Sequence, residues 1–163
     1  MSYTNKDQTL RDSWETPQYI LNWASSIVGG FTYDVAATKE NAKFPMLAYD
    51  TLTKPWTGIC WCNPPYGDLK RWTEKALSEE DATVALLIPS PNGESYYYDL
   101  IRNSFEIAII GRIAFIDPRI NAPVSGNNRG NSLFILDRHG GVGREKQSRY
   151  VVKRDYLKNT FSP

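Results

Sequence analysis

Apolar residues recur at Ile20, Leu21, Ala24, Ile27 and Val28, the spacing of one helix face. Thr16 as N-cap and Pro17 at the first helical position open that helix, and Gly29–Gly30 ends it. A strand is expected over 31–34 with Asp34 at its carboxyl end, then an irregular stretch over 39–57 containing Pro45 and Pro55. The apolar residues of 58–62 predict a second strand, which two prolines stop because neither has an N–H for the ladder. Asp68 then caps a helix with Leu69, Trp72, Thr73, Ala76 and Leu77 on one face. Residues 83–89 are apolar without a break, as in a strand buried on both faces. A turn at 90–93 leads to a helix over 94–102. Residues 105–110 and 112–116 read as one or two strands interrupted by Gly111, and 117–131 as a long loop. Residues 132–136 form the last clear strand, followed by a glycine turn at 140–143. The alternation predicts one α/β domain with a mostly parallel sheet and an antiparallel hairpin near the end.

Composition adds limits. The chain has 163 residues, 41% hydrophobic and 23% charged, an ordinary globular balance. No apolar run approaches the ~20 residues that span a bilayer, and the polar N-terminus shows no signal-peptide core. A cytoplasmic protein without a membrane partner is expected, with residues 1–13 loosely ordered. Cys60 and Cys62 are the only cysteines and His139 the only histidine. Two thiols one residue apart rarely bridge and nothing completes a zinc site, so no metal is expected. Buried, inert thiols fit better. Residues 1–137 carry 12 Lys/Arg against 16 Asp/Glu, and residues 138–163 carry 7 against 2. Such a basic tail suits phosphates. Its alternative is a solvated, loosely ordered terminus over 144–163.

The chemistry concentrates where the second strand stops, at Asn63-Pro64-Pro65-Tyr66. Pro64 pushes Asn63 out of the helical region. The result is a stiff turn at the carboxyl end of a strand, the edge where open α/β sheets bind ligands. It presents an amide, a fixed carbonyl and an aromatic face, which suit a planar target bearing an amino group.

Asn-Pro-Pro-Tyr at a strand end resembles the catalytic motif of amino-group methyltransferases that use S-adenosylmethionine. The wider chain is similar to the phage-type DNA N6-adenine methyltransferases of the Dam family. The matching stretches are Thr16-Pro17, Asp34-Val-Ala-Ala-Thr38 with Asn41-Ala-Lys43, Tyr49-Asp50, Trp56-Thr-Gly58, Trp61-Cys-Asn-Pro-Pro-Tyr-Gly67, Leu87-Ile-Pro89 and Gly111-Arg-Ile-Ala-Phe115. The resemblance implies a Rossmann-like methyltransferase sheet, mostly parallel. The Gly-rich cofactor loop is missing, since Asp34-Val-Ala-Ala stands in its place. About 28 residues separate Asp34 from Asn63, too few for two more strand–helix units, so the sheet is expected to be shortened.

The resemblance further implies methyl transfer to adenine N6 in double-stranded DNA. The Asn63 side-chain oxygen and the Pro64 carbonyl would receive the amine hydrogens, Pro65 would stiffen the turn, and Tyr66 would stack on a flipped-out base. Thr16, Pro17, the strand end Asp34, Val35, Ala36 and Ala37, and Asp50 would build the cofactor pocket. Asp34 would receive the methionine ammonium or a ribose hydroxyl. Asp50 would meet the ribose or adenine, or simply cap a turn. Trp56 and Phe44 are placed in core packing rather than against the cofactor. Cytosine C5 chemistry is disfavoured, because its cysteine nucleophile has no counterpart at the turn. For DNA, the candidates are Arg112, the loop residues Asn127, Asn128 and Arg129, and Lys146, Arg149, Lys153 and Arg154 in the tail. Asn reads adenine and Arg reads guanine in the major groove, which makes the loop the leading reader of sequence. A monomer or weak dimer is expected. RNA-adenine or protein-glutamine methylation, or a nonenzymatic DNA-binding role, are the rival readings.

Overall fold

The computed structural model describes residues 12–124, 129–140 and 148–163. A first helix, α1 (Gln18–Val28), precedes a short strand, β1 (Tyr33–Asp34). After an irregular stretch come β2 (Gly58–Cys62), a 3-10 turn (Tyr66–Asp68), α2 (Leu69–Ser78), β3 (Ala82–Pro89) and α3 (Tyr96–Asn103). The second half holds β4 (Phe105–Ile110), β5 (Ile116–Asp117), β6 (Ala122–Pro123), β7 (Asn131–Leu136), β8 (Arg149–Lys153) and α4 (Arg154–Phe161).

Six strands form one sheet in the order β1-β2-β3-β7-β4-β8. All run parallel except β7, which is antiparallel to both β3 and β4. β3 lies at the centre and is buried at every position, as its unbroken apolar run requires. Alternation along the strands divides two apolar layers. Trp61, Ala85 and Leu87 face α1 and Leu157 of α4. Cys60, Cys62, Val84, Leu86 and Ile88 face Trp72 and Ala76 of α2 and Leu100 of α3. Helices therefore cover both faces, and only the strand ends are left open for a site.

Four expectations change. Thr16 does not cap α1: Pro17 holds the N-cap position, and its carbonyl accepts from the backbone N–H of Ile20 at 3.0 Å. Residues 112–115 are not strand, because Gly111 turns the chain off the sheet at φ 103°. A side chain there would also meet Arg154, whose Cβ would lie 3.1 Å from an added Cβ. The predicted loop 117–131 is partly a hairpin: β5 and β6 pair antiparallel. Its turn is held by Arg119, whose backbone N–H and Nε each donate to Asp117 Oδ1 at 2.9 Å, and the carboxyl of Asp117 is held down at about 2 by that partner. Asn121 takes the left-handed conformation, φ 48°, that this turn needs.

The fourth change is the C-terminus. The expected antiparallel hairpin is the β5–β6 pair, earlier in the chain than expected, and, within 144–163, residues 149–161 form a strand and a helix. β8 adds in parallel to β4, and α4 packs on α1, with Leu157 fully buried and Asn22 Nδ2 donating to the Phe161 carbonyl at 2.8 Å. Apolar Val152, Leu157 and Phe161 drive this docking; they are sparse among charges, which hid them in sequence. Most of the predicted loose N-terminus, residues 1–11, lies outside the described residues. Among the described residues, no helix is long and apolar enough to cross a membrane, and no group of His, Cys, Asp and Glu could hold a metal ion.

Candidate active site

β2 is paired on both sides, to β1 and β3, so the turn leaving it is fixed in place. Pro64 is buried, while Asn63, Pro65 and Tyr66 are half-buried. Pro65 is extended (φ −60°, ψ 131°) and starts the 3-10 turn, its carbonyl accepting from Asp68 N–H at 3.1 Å. Asn63 Nδ2 donates to the Thr16 hydroxyl at 3.2 Å. Its Oδ1 is buried and has no hydrogen-bond partner. A buried acceptor left bare costs about 1–3 kcal/mol, a cost that a donor on a ligand would remove.

An open cleft lies beside Asn63. Asp12, Glu15, Thr16, Asp34, Lys43 and Asn63 are among the residues that line it. Lys43 joins two of the others: its Nζ pairs with Glu15, and its backbone N–H donates to Asp34 Oδ2 at 3.1 Å. Burial raises Asp34 to about 6, although the backbone N–H groups of Lys43, Ala36 and Ala37 pull the other way. Three carboxyl groups against one ammonium, among the described residues lining the cleft, suit a cationic ligand. Tyr66 is not in the lining, so the cleft lies on the β1 side of the turn and Tyr66 faces away from it toward β7.

There, Asn131 Nδ2 donates to Tyr66 Oη at 2.9 Å, and the Phe115 ring meets Tyr66 edge-on at 6.3 Å between centroids. Burial pushes the Tyr66 phenol up to about 12, so it stays protonated. Both thiols are neutral for the same reason: burial raises Cys60 to about 12 and Cys62 well above its ordinary value.

The remaining predicted residues divide. Ala36 and Ala37 line the cleft with Asp34. Val35 is committed to the fold: its N–H donates to the Trp61 carbonyl at 3.0 Å, and its carbonyl accepts from Thr51. Pro17 is buried at the start of α1 and does not reach the lining. Asp50 is exposed and outside the cleft, and its carbonyl accepts from Thr53 N–H at 3.3 Å in a turn. Trp56 is fully buried, with Nε1 donating to the Thr51 carbonyl at 2.8 Å. Phe44 packs on Phe31 at 4.9 Å.

Strand register puts Asp34, Asn63, Ser90, Asn131, Arg112 and Arg154 in a row along one sheet edge. Exposed Arg112 follows β4, and exposed Lys153 ends β8. Arg154 donates through Nη1 to the Arg112 carbonyl at 2.9 Å and through Nε to Asp155. Arg129 is exposed beside Gly130, whose carbonyl accepts from Ser90 N–H at 2.9 Å. Arg149 is not part of this group. It starts β8 at the opposite edge and pairs with buried Glu106 at 3.3 Å. Asn127, Asn128 and Lys146 lie outside the described residues. Sequence reading missed the Glu15–Lys43 pair and Asn131; the only hint for Asn131 was its place where the long loop meets a strand.

The family model of DNA N-6-adenine-methyltransferase (Dam) matches residues 3–160. The chain belongs to that family. Among its relatives, the DNA N-6-adenine-methyltransferase of Escherichia phage T1 is 28% identical, over 91% of this chain and 71% of its own length. That of Haemophilus phage HP1 (strain HP1c1) is 29% identical, over 91% of both chains. No solved structure matches. Family membership means that a methyl donor and DNA must both reach one site. In this Dam-family chain, the cleft and the basic end of the sheet edge are separate, with Asn63 to Tyr66 between them.

Proposed function

We propose that this DNA N6-adenine methyltransferase draws its methyl group from S-adenosylmethionine and methylates an adenine flipped out of duplex DNA, within a single domain of shortened Rossmann-like form. The observation that carries the reading is the bare, buried Oδ1 of Asn63 beside a cleft rich in carboxylates.

The donor set fits that ligand. Asp34 is a buried carboxyl short of positive charge, and a methionine ammonium or a sulfonium would return it to its ionised form. Asp34, Ala36, Ala37 and Thr16 would hold the donor from the β1 side. Val35 supports them from within the fold, and Pro17 fixes the start of α1; Asp50 would take part only if its turn moved inward. S-adenosylmethionine, when bound, supplies an electrophilic methyl carbon. The exocyclic nitrogen of adenine is a poor nucleophile because its lone pair is delocalised. Asn63 Oδ1 and the Pro64 carbonyl accept its two hydrogens, favour a tetrahedral nitrogen and stabilise the developing positive charge. Pro65 keeps that corner rigid, so little reorganisation is needed. Tyr66 stacks on the base from the side opposite the cleft. Neutral Cys60 and Cys62 take no part.

The exposed Arg112, Arg129 and Lys153, with Arg154, would meet phosphates along the β4–β8 end of the edge. Adjacent strands are about 4.8 Å apart, so β4 sits roughly 14 Å from β2. A duplex lying across that end can extrude one base toward Tyr66. Incubation with labelled S-adenosylmethionine and duplex DNA, followed by nucleoside analysis, tests the reading. Label in N6-methyladenine supports it. Label only in RNA or protein glutamine would replace it.

A further inference from the structure

Tyr66 is held by the two ends of one segment. Chain leaving β4 passes Phe115, forms the β5–β6 hairpin and returns at Asn131 to begin β7. Phe115 touches the ring edge-on, and Asn131 holds the hydroxyl. Neither contact is loose. Phe115 is buried in the apolar layer beneath α1. Asn131 is fully buried, with its backbone in register between Pro89 of β3 and Ile109 of β4. Ser90 N–H donates to the neighbouring Gly130 carbonyl at 2.9 Å, which pins the same junction.

We infer that Asn131 is a positioning residue: it fixes the Tyr66 ring for the target base and ties that ring to the adjoining Arg129–Gly130. The inference rests on the functional reading above and deepens it. A tyrosine ring on a turn can pivot about two side-chain torsions. A hydrogen bond at its far end, from a donor locked in a central strand, removes that freedom. The same segment carries Arg129 and the hairpin on the basic side of the edge. Engagement of DNA there bears on the junction that aims the ring. Stacking is therefore coupled to target recognition through one amide–phenol contact.

The experiment is a double-mutant cycle of Asn131→Ala and Tyr66→Phe under single-turnover conditions with duplex DNA. Tyr66→Phe keeps the ring and removes only the oxygen that Asn131 holds, so it reports even if Asn131→Ala fails to fold. Each single variant is expected to slow methyl transfer about tenfold, the rate equivalent of one net side-chain hydrogen bond. The dissociation constant for S-adenosylmethionine should not move. The double variant should be no slower than the slower single one, and 2-aminopurine at the target should lose stacking in all three. A Tyr66→Phe variant as fast as the parent, or additive losses in the double variant, would overturn the inference. Failure of the parent chain to make N6-methyladenine would instead overturn the functional reading on which it rests.

Discussion

The side-chain amide of Asn63 donates to the Thr16 hydroxyl at 3.2 Å, and this leaves its oxygen buried, bare and beside the cleft. On the proposed function, Thr16 would act through Asn63 as well as through the cleft wall. Replacing it separates the two roles. Thr16→Val removes the hydroxyl and keeps the shape, and single-turnover methylation is expected to fall about tenfold, one hydrogen bond's worth. Thr16→Ser should retain most of the rate. Equal loss in both variants would point to packing at the start of α1 instead.

Asp34 gives a pH dependence whose sign can be worked out. Its carboxyl is raised to about 6, so between its unfolded value near 4 and that value the folded chain binds the extra proton. Stability from this group therefore falls as pH rises through that window. The ligand-free protein should melt at higher temperature near pH 5 than near pH 7, as far as Asp34 is concerned. Asn at this position should flatten the difference and raise the melting temperature at pH 7. It should also weaken S-adenosylmethionine binding by about tenfold or more, since one lost charge partner is worth about 1.5–3 kcal/mol. Thermal melts with and without the donor check both halves.

Cys60 and Cys62 are buried with thiols pushed far up. A disulfide reagent should leave both unmodified in the folded protein and label both after denaturation. Cys60→Ala should keep the methylation rate, at a stability cost of about 1 kcal/mol for the small cavity. Loss of activity in that variant with an unchanged melt would contradict the inert role.

Truncation of the basic tail is not a clean test of DNA contact, because α4 is part of the apolar layer under α1. Single neutralisations are. Arg112→Gln and Lys153→Gln should each lower the salt dependence of duplex binding by about one counterion. Arg149→Gln should leave that slope unchanged and destabilise the fold instead, since it removes the cation beside buried Glu106, which keeps only its hydrogen bonds from Tyr97 and Ser132. Salt titrations of fluorescent duplex binding distinguish the two classes.

How far the sequence could be read follows from where the information is local. The span of β2, the unbroken burial of β3 and the stop at Pro64 are written in adjacent residues, and the structure repeats them. The short linkage between Asp34 and Asn63 leaves little room for further strand–helix units, and β1 and β2 are joined without a helix. What failed depended on distance along the chain. Thr16 reads as a cap until Asn63 claims its hydroxyl, 47 residues away. β8 is mostly exposed along its length and shows no apolar run; its partner, β4, makes it a strand. Asn131 meets Tyr66, 65 residues earlier, and no local pattern marks that contact.

The central claim is that Asn63 Oδ1 receives the adenine amine. Its most direct test is single-turnover methyl transfer to duplex DNA by Asn63→Ala, with S-adenosylmethionine affinity measured on the same preparation. The account predicts affinity within a few-fold of the parent and a rate lower by about 10²–10³, the usual loss for one preorganised charge-stabilising group. A variant that binds the donor and still forms N6-methyladenine at the parent's rate would contradict it.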